Sequence, residues 1–81
     1  MVWREAHAQV FGETVRRLRR EAKLTQEALA HTVGISKNHI QLIEAGRGAS
    51  RADGPSSNPR MTTVYGLADA LNVRPADLLP E

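Results

Sequence analysis

The sequence predicts an all-α fold, a compact bundle of five helices in one domain, residues 1–81. Apolar residues recur every three or four positions along most of the chain, which is the period of an amphipathic helix. Capping and turn residues divide this pattern into five segments, and no segment has the alternation of a strand. With 81 residues the chain has room for only a modest core, so dimerisation is a natural supplement to its stability.

The first predicted helix covers residues 3–22, and residues 1–10 form an N-terminal extension of it. An apolar stripe runs along this helix, while the opposite face carries arginines that we interpret as mostly solvent-exposed. Gly12 interrupts the stripe and marks either close packing or a break in the helix. Trp3 needs a partner, which is either the core of the protein itself or a second subunit.

Two short helices joined by a tight turn are predicted next, over residues 26–32 and 37–45. Thr25 and Ser36 precede them as N-caps, and Gly34 lies at the centre of the turn. Apolar residues share the inner faces of the two helices, and polar residues point outwards from the second. A helix pair that presents hydrogen-bonding groups in this way suits the reading of a DNA major groove.

The segment between the third and fourth helices is rich in Gly, Ser and Pro and predicts a long loop, residues 47–60. A loop of this length is usually functional or disordered. The fourth helix is predicted over residues 61–71 and ends near Asn72. The fifth is short and covers residues 74–79, with Pro75 at its first position.

The net charge of +2 hides an asymmetry along the chain. Residues 1–60 hold ten lysines and arginines against six acidic residues, whereas residues 61–81 hold one against three. This distribution favours a polyanion as the partner of one face and a different contact on the C-terminal side.

Several classes of site are excluded by composition. The chain has no cysteine, so disulfides, zinc fingers and thiol chemistry are ruled out. His7, His31 and His39 lack acidic partners at ligand spacing, so we predict neither a metal site nor a cofactor. No catalytic group has a placed acid or base, so we predict that the protein is not an enzyme. The absence of a membrane span and of a signal sequence favours the cytoplasm.

A set of residues spread over the five predicted helices matches one known pattern in register. These residues are Phe11-Gly12, Val15, Leu18-Arg19, Leu24-Thr25-Gln26-Glu27, Leu29-Ala30, Val33-Gly34-Ile35-Ser36, Ile40, Ile43-Glu44-Ala45-Gly46-Arg47, Asn58-Pro59, Leu67-Ala68, Ala70-Leu71, Val73 and Leu78-Leu79. Through them the chain resembles the phage-repressor (Cro-like, or XRE) family of helix-turn-helix proteins. The resemblance implies a five-helix domain that binds double-stranded DNA sequence-specifically. The loop is longer here than is usual in the family.

The resemblance also implies roles for individual residues. The expected base contacts are Lys37, Asn38, Gln41 and Leu42. The last of these either touches a thymine methyl group or is simply an exposed leucine. The expected phosphate contacts are Gln26, Ser36, Arg47, Arg51 and Arg60. A structural ion pair between Arg19 and Glu44 is expected to tie the first helix to the third.

The implied function is that of a transcriptional regulator, acting as a homodimer on a partly palindromic operator. The chain resembles the controller proteins of restriction–modification systems and small phage repressors. The expected dimer contact lies within residues 61–81. An alternative function is that of an antitoxin, which binds a toxin protein and autoregulates its operon. The first ten residues or the long loop would then contact the toxin.

Overall fold

Five helices form the part of the chain that the computed structural model describes, residues 3–47 and 59–80. They are α1 (Glu5–Glu21), α2 (Gln26–Val33), α3 (Lys37–Glu44), α4 (Met61–Leu71) and α5 (Pro75–Leu78). These two segments contain no strand, and the predicted all-α class is confirmed. Most of the predicted loop, residues 48–58, lies outside the described residues, and Arg51 lies there too.

Helix α1 is continuous through Gly12, which decides between the two interpretations of that residue. A methyl group added at Gly12 would overlap the carbonyl oxygen of Ile43 and lie 3.0 Å from that of Glu44. The glycine therefore allows the backbone of α1 to approach the C-terminal end of α3.

Two side chains near the start of α1, those of Trp3 and His7, stabilise this end of the helix. The backbone N–H of Arg4, the N-cap residue, donates to Nδ1 of His7 at 2.9 Å. Trp3 packs on the hydrophobic core of the protein itself, with its ring edge-on to Phe11 at a centroid distance of 6.1 Å. The residues that extend α1 at its N-terminus are thus part of the fold.

Two N-caps and one glycine define both ends of α2 and the start of α3. The N–H of Ala28 donates to the hydroxyl oxygen of Thr25, and the N–H of His39 donates to that of Ser36, each at 3.0 Å. Gly34 ends α2 with a left-handed backbone, φ +86°. This conformation is strained for any residue that has a side chain, and glycine adopts it freely. Local sequence therefore determines both the length of α2 and the start of α3.

The remaining helices complete a single core around α3. Helix α3 packs against α1 and α2, α4 packs against α2, and α5 packs against α4. The largest fully buried side chains are Leu29, Ile40, Leu67, Leu78, Val15 and Val64. Because α1 and α2 cover its inner side, α3 is held by two helices while its outer side is exposed.

The predicted ends of the helices lie within two residues of the observed ends, and both ends of α4 coincide. Helix α3 ends at Glu44 because Ala45 is its C-cap. Helix α5 is shorter than predicted at both ends, since Arg74 is its N-cap and Leu79 has an extended backbone. Asn72 ends α4 with a left-handed backbone, φ +59°, as the sequence predicted.

Candidate nucleic-acid interface

The outward side of α3 presents three polar side chains that can read base edges. Lys37, Asn38 and Gln41 are all exposed, and their spacing places them on one face of the helix. A lysine can donate to O6 and N7 of guanine, and the amides of asparagine and glutamine can pair with adenine. Leu42 is half-buried, so it offers less surface than the other three.

Two of the expected phosphate contacts lie near the two ends of α3, and a third lies at the start of α4. Ser36, at its N-cap, is exposed, and because its oxygen accepts from His39, its hydroxyl proton remains available to an outside acceptor. Arg47 is exposed just beyond the helix, where its backbone N–H donates to the carbonyl of Leu42 at 2.9 Å. Arg60 is exposed at the N-cap position of α4.

The charge of Arg60 acts on the imidazole of His39, a residue of α3. Partial burial lowers the pKa of His39 below its usual 6.5, and the positive charge of Arg60 lowers this pKa further. The imidazole is therefore neutral at pH 7 and adds no charge to α3.

A buried network of charges and amides holds α3 against the other two helices. The guanidinium of Arg19 donates to both carboxylate oxygens of Glu44, at 2.7 and 3.1 Å, and to the carbonyl of Leu24 at 2.8 Å. The side chains of Arg19 and Glu44 are only 11% and 4% exposed. The amide nitrogen of Gln26 donates to the same carboxylate at 3.0 Å. Glu44 of α3 is therefore bonded to both α1 and α2.

This network gives Gln26 two possible roles at once. One of its amide protons is engaged by Glu44, and its second proton remains available to a phosphate oxygen. Gln26 begins α2 and is half-buried, so its position relative to α3 is fixed before any ligand binds. The hydrogen bond between Gln26 and Glu44 was not predicted, because residues 18 positions apart leave no local signal.

An open polar groove of about 260 Å³ lies beside this network, and no pattern in the sequence predicted it. It runs between α1 and the C-terminal end of α3. The lining residues are Gln9, Glu13, Arg16, Glu44 and Ala45.

Neither a membrane-spanning helix nor a metal-binding cluster occurs in the same two segments. No helix among residues 3–47 and 59–80 has the length and apolar character needed to cross a bilayer. The same residues contain no group of three or more His, Asp or Glu side chains arranged to hold a metal ion.

Comparison with known proteins places the chain among helix-turn-helix regulators. Residues 10–81 match the family model described as helix-turn-helix domain. The chain is 36% identical over 70 residues to the uncharacterised HTH-type transcriptional regulator y4dJ of Sinorhizobium fredii, covering 86% of this chain and 79% of that protein. This relative is named as a transcriptional regulator, in agreement with the prediction that the chain has no catalytic role.

Two solved structures are similar over nearly the whole chain. The restriction–modification controller protein C.AhdI from Aeromonas hydrophila has a TM-score of 0.76 and 28% identity, covering 91% of this chain and 98% of that one. The P22 c2 repressor in complex with a synthetic operator has a TM-score of 0.67 and 31% identity, covering 88% and 94%. The predicted resemblance to controller proteins and phage repressors is confirmed.

Proposed function

Because the chain belongs to the helix-turn-helix domain family, we propose that it regulates transcription by binding a partly palindromic operator as a homodimer. The observation that carries this proposal is the outward face of α3. Three exposed hydrogen-bonding side chains stand there on a helix that is bonded to both of its neighbours through Glu44. A rigid helix with polar groups on its free side is what insertion into a major groove requires.

Contacts to the DNA divide into two kinds in this proposal. Phosphate contacts set the register of the protein on the duplex, and base contacts set the sequence that it prefers. We assign the first kind to Gln26, Ser36, Arg47 and Arg60, together with Arg51, which lies outside the described residues. We assign the second kind to Lys37, Asn38 and Gln41, with Leu42 contributing at most an apolar contact.

Two base contacts can be tested by single substitutions. We expect Lys37→Ala and Asn38→Ala each to weaken binding to the specific site by about 1–3 kcal/mol, because each removes hydrogen bonds to a base edge. Binding to a random-sequence duplex should change much less. The measurement is a titration of the protein's own promoter DNA, followed by fluorescence anisotropy. If both variants bind the site as the wild type does, the assignment of these base contacts is wrong.

A dimer would supply two copies of α3 to the two halves of the operator, about 34 Å apart. The region proposed for the dimer contact contains three exposed, large apolar side chains. Met61, Tyr65 and Leu79 are 57%, 60% and 37% exposed. Apolar side chains that stay exposed within one region favour contact with another protein surface. The acidic balance of residues 61–81 further favours a contact away from DNA.

The dimer contact predicts how oligomeric state responds to a charge. We expect the wild type to sediment as a dimer at micromolar concentration and Tyr65→Glu to sediment as a monomer, because the carboxylate would be desolvated in the interface. Val10→Glu is the matched control, since Val10 is 46% exposed on α1, outside residues 61–81. A wild type that is monomeric both with and without DNA would remove the dimer from this proposal.

Among regulators, we favour a controller or small repressor that acts in the cytoplasm on the operon that encodes it. This preference is supported by the alignment with 98% of the controller protein C.AhdI.

The antitoxin alternative requires the first ten residues of the chain or the long loop to bind a toxin. Trp3 and His7 of the N-terminal segment are engaged within the fold, which makes that segment less available. A neighbouring methylase and endonuclease gene pair would support the controller role, and a small toxin gene would support the antitoxin.

A further inference from the structure

The flank of α1 that borders α3 carries an arginine, Arg16, that is not among the DNA contacts proposed above. Arg16 is exposed and lies one helical turn after Gly12, the residue that touches the backbone of α3. A second exposed arginine, Arg20, follows Arg16 by one helical turn and so lies on the same flank of α1. Both arginines therefore stand on the side of α1 that is nearest to α3.

Arg16 lies beside the C-terminal end of α3, in the polar groove between α1 and α3. Arg16 lines this groove together with Glu44 and Ala45. Ala45 is exposed one helical turn beyond Gln41, so it continues the outward face of α3. Gln26 reaches the same Glu44 carboxylate from α2. Arg16 and Gln26 thus both approach Glu44, from different helices, at the edge of the surface that we place on DNA.

Arg16 forms no ion pair with an acidic side chain of residues 3–47 or 59–80. Glu44 is already bonded to Arg19 and Gln26, and Glu13 lines the groove without forming an ion pair with Arg16. The neighbouring Arg17 differs, since it pairs with Glu21 at 3.6 Å on the solvent side of α1. A guanidinium without an internal partner is well suited to bind an outside phosphate.

We propose that Arg16 contacts a backbone phosphate of the DNA strand that passes Gln26, and that Arg20 extends this contact along α1. The inference rests on the proposed function. The two arginines are about 6 Å apart along the helix axis. The ligand is a phosphodiester group of duplex DNA, so the contact adds affinity and orientation without sequence preference.

The test is the salt dependence of DNA binding by Arg16→Ala and by Arg17→Ala as the matched control. Both variants lose one positive charge from α1, and only Arg16 borders α3. We expect Arg16→Ala to reduce the slope of log K against log salt by about one and to weaken binding about five- to tenfold at 100 mM salt. Arg17→Ala should leave the slope unchanged, and Arg16→Lys should retain most of it, since it keeps the charge.

Two duplexes separate this inference from the proposed function. The wild type and variants are titrated against the promoter fragment and against a random-sequence duplex of about 30 base pairs, with circular dichroism confirming the fold. Equal loss on both duplexes by Arg16→Ala supports the phosphate contact. If the wild type prefers the promoter but Arg16→Ala and Arg17→Ala have equal slopes, the inference is wrong and the proposed function stands. If the wild type binds neither duplex, both are wrong.

Discussion

Replacing Arg19 by alanine is expected to lower the free energy of unfolding by about 3–5 kcal/mol. The substitution removes two hydrogen bonds from the Glu44 carboxylate, whose side chain is 4% exposed, and leaves Gln26 as its remaining side-chain donor. A buried carboxylate without its cation loses the interaction that offsets its desolvation. Since small domains are stable by about 5–15 kcal/mol, the variant should lose a large fraction of its free energy of unfolding.

Urea denaturation of three variants tests this expectation. Arg17→Ala breaks the exposed pair with Glu21, so it should cost less than about 1 kcal/mol. The double variant Arg19→Met/Glu44→Leu removes both charges, so it should be considerably more stable than Arg19→Ala alone. A loss of less than 1 kcal/mol for Arg19→Ala would mean that this ion pair does not hold α1 and α3 together.

The second large effect is expected at Gly12, where alanine should destabilise the protein by about 1–3 kcal/mol or more. In an ordinary helix interior the same change stabilises by roughly 1 kcal/mol, because alanine has the higher helix propensity. The sign reverses here because the new methyl group would overlap the carbonyl oxygen of Ile43, which belongs to a backbone that cannot yield easily. The two helices would have to separate at the point where α3 is anchored.

Gly66→Ala provides the matched control, since Gly66 also lies inside a helix. A methyl group there would lie 3.0 Å from the Cγ1 methyl group of Val33 and 4.0 Å from its carbonyl oxygen, which is an ordinary contact. The close neighbour is therefore a side chain, which can shift more readily than a backbone. We expect Gly66→Ala to be much closer to neutral than Gly12→Ala when both are unfolded by heat. Equal melting temperatures for the two variants would contradict the close packing of α1 on α3.

Those parts of the fold that local chemistry determines were predicted from the sequence. Thr25 and Ser36 cap α2 and α3 as expected, because a cap needs only a side-chain oxygen next to a free N–H. Gly34 and Asn72 end their helices as expected, because their left-handed backbones depend on the residue itself. The contact between Arg19 and Glu44 was predicted only through the family resemblance, since 25 residues separate the pair.

Features that depend on how the helices meet were not available from the sequence. The sequence allowed two interpretations of Gly12, and only its close contact with the backbone of α3 decides between them. The helical pattern marked Arg16 and Arg17 alike as exposed, and only the packing of α3 distinguishes one flank of α1 from the other. Leu42 is half-buried, which periodicity alone did not determine.

The most direct test of the central claim is a comparison of affinity for two duplexes that differ only in sequence. A preferred site is first selected from random duplexes by the wild-type protein, and the dissociation constant is measured for this site and for the same duplex with its bases scrambled. A sequence-specific regulator should bind the selected site at least about 1,000-fold more tightly at physiological salt, and the site should contain two related halves. Equal affinity for the two duplexes would contradict sequence-specific binding by the outward face of α3.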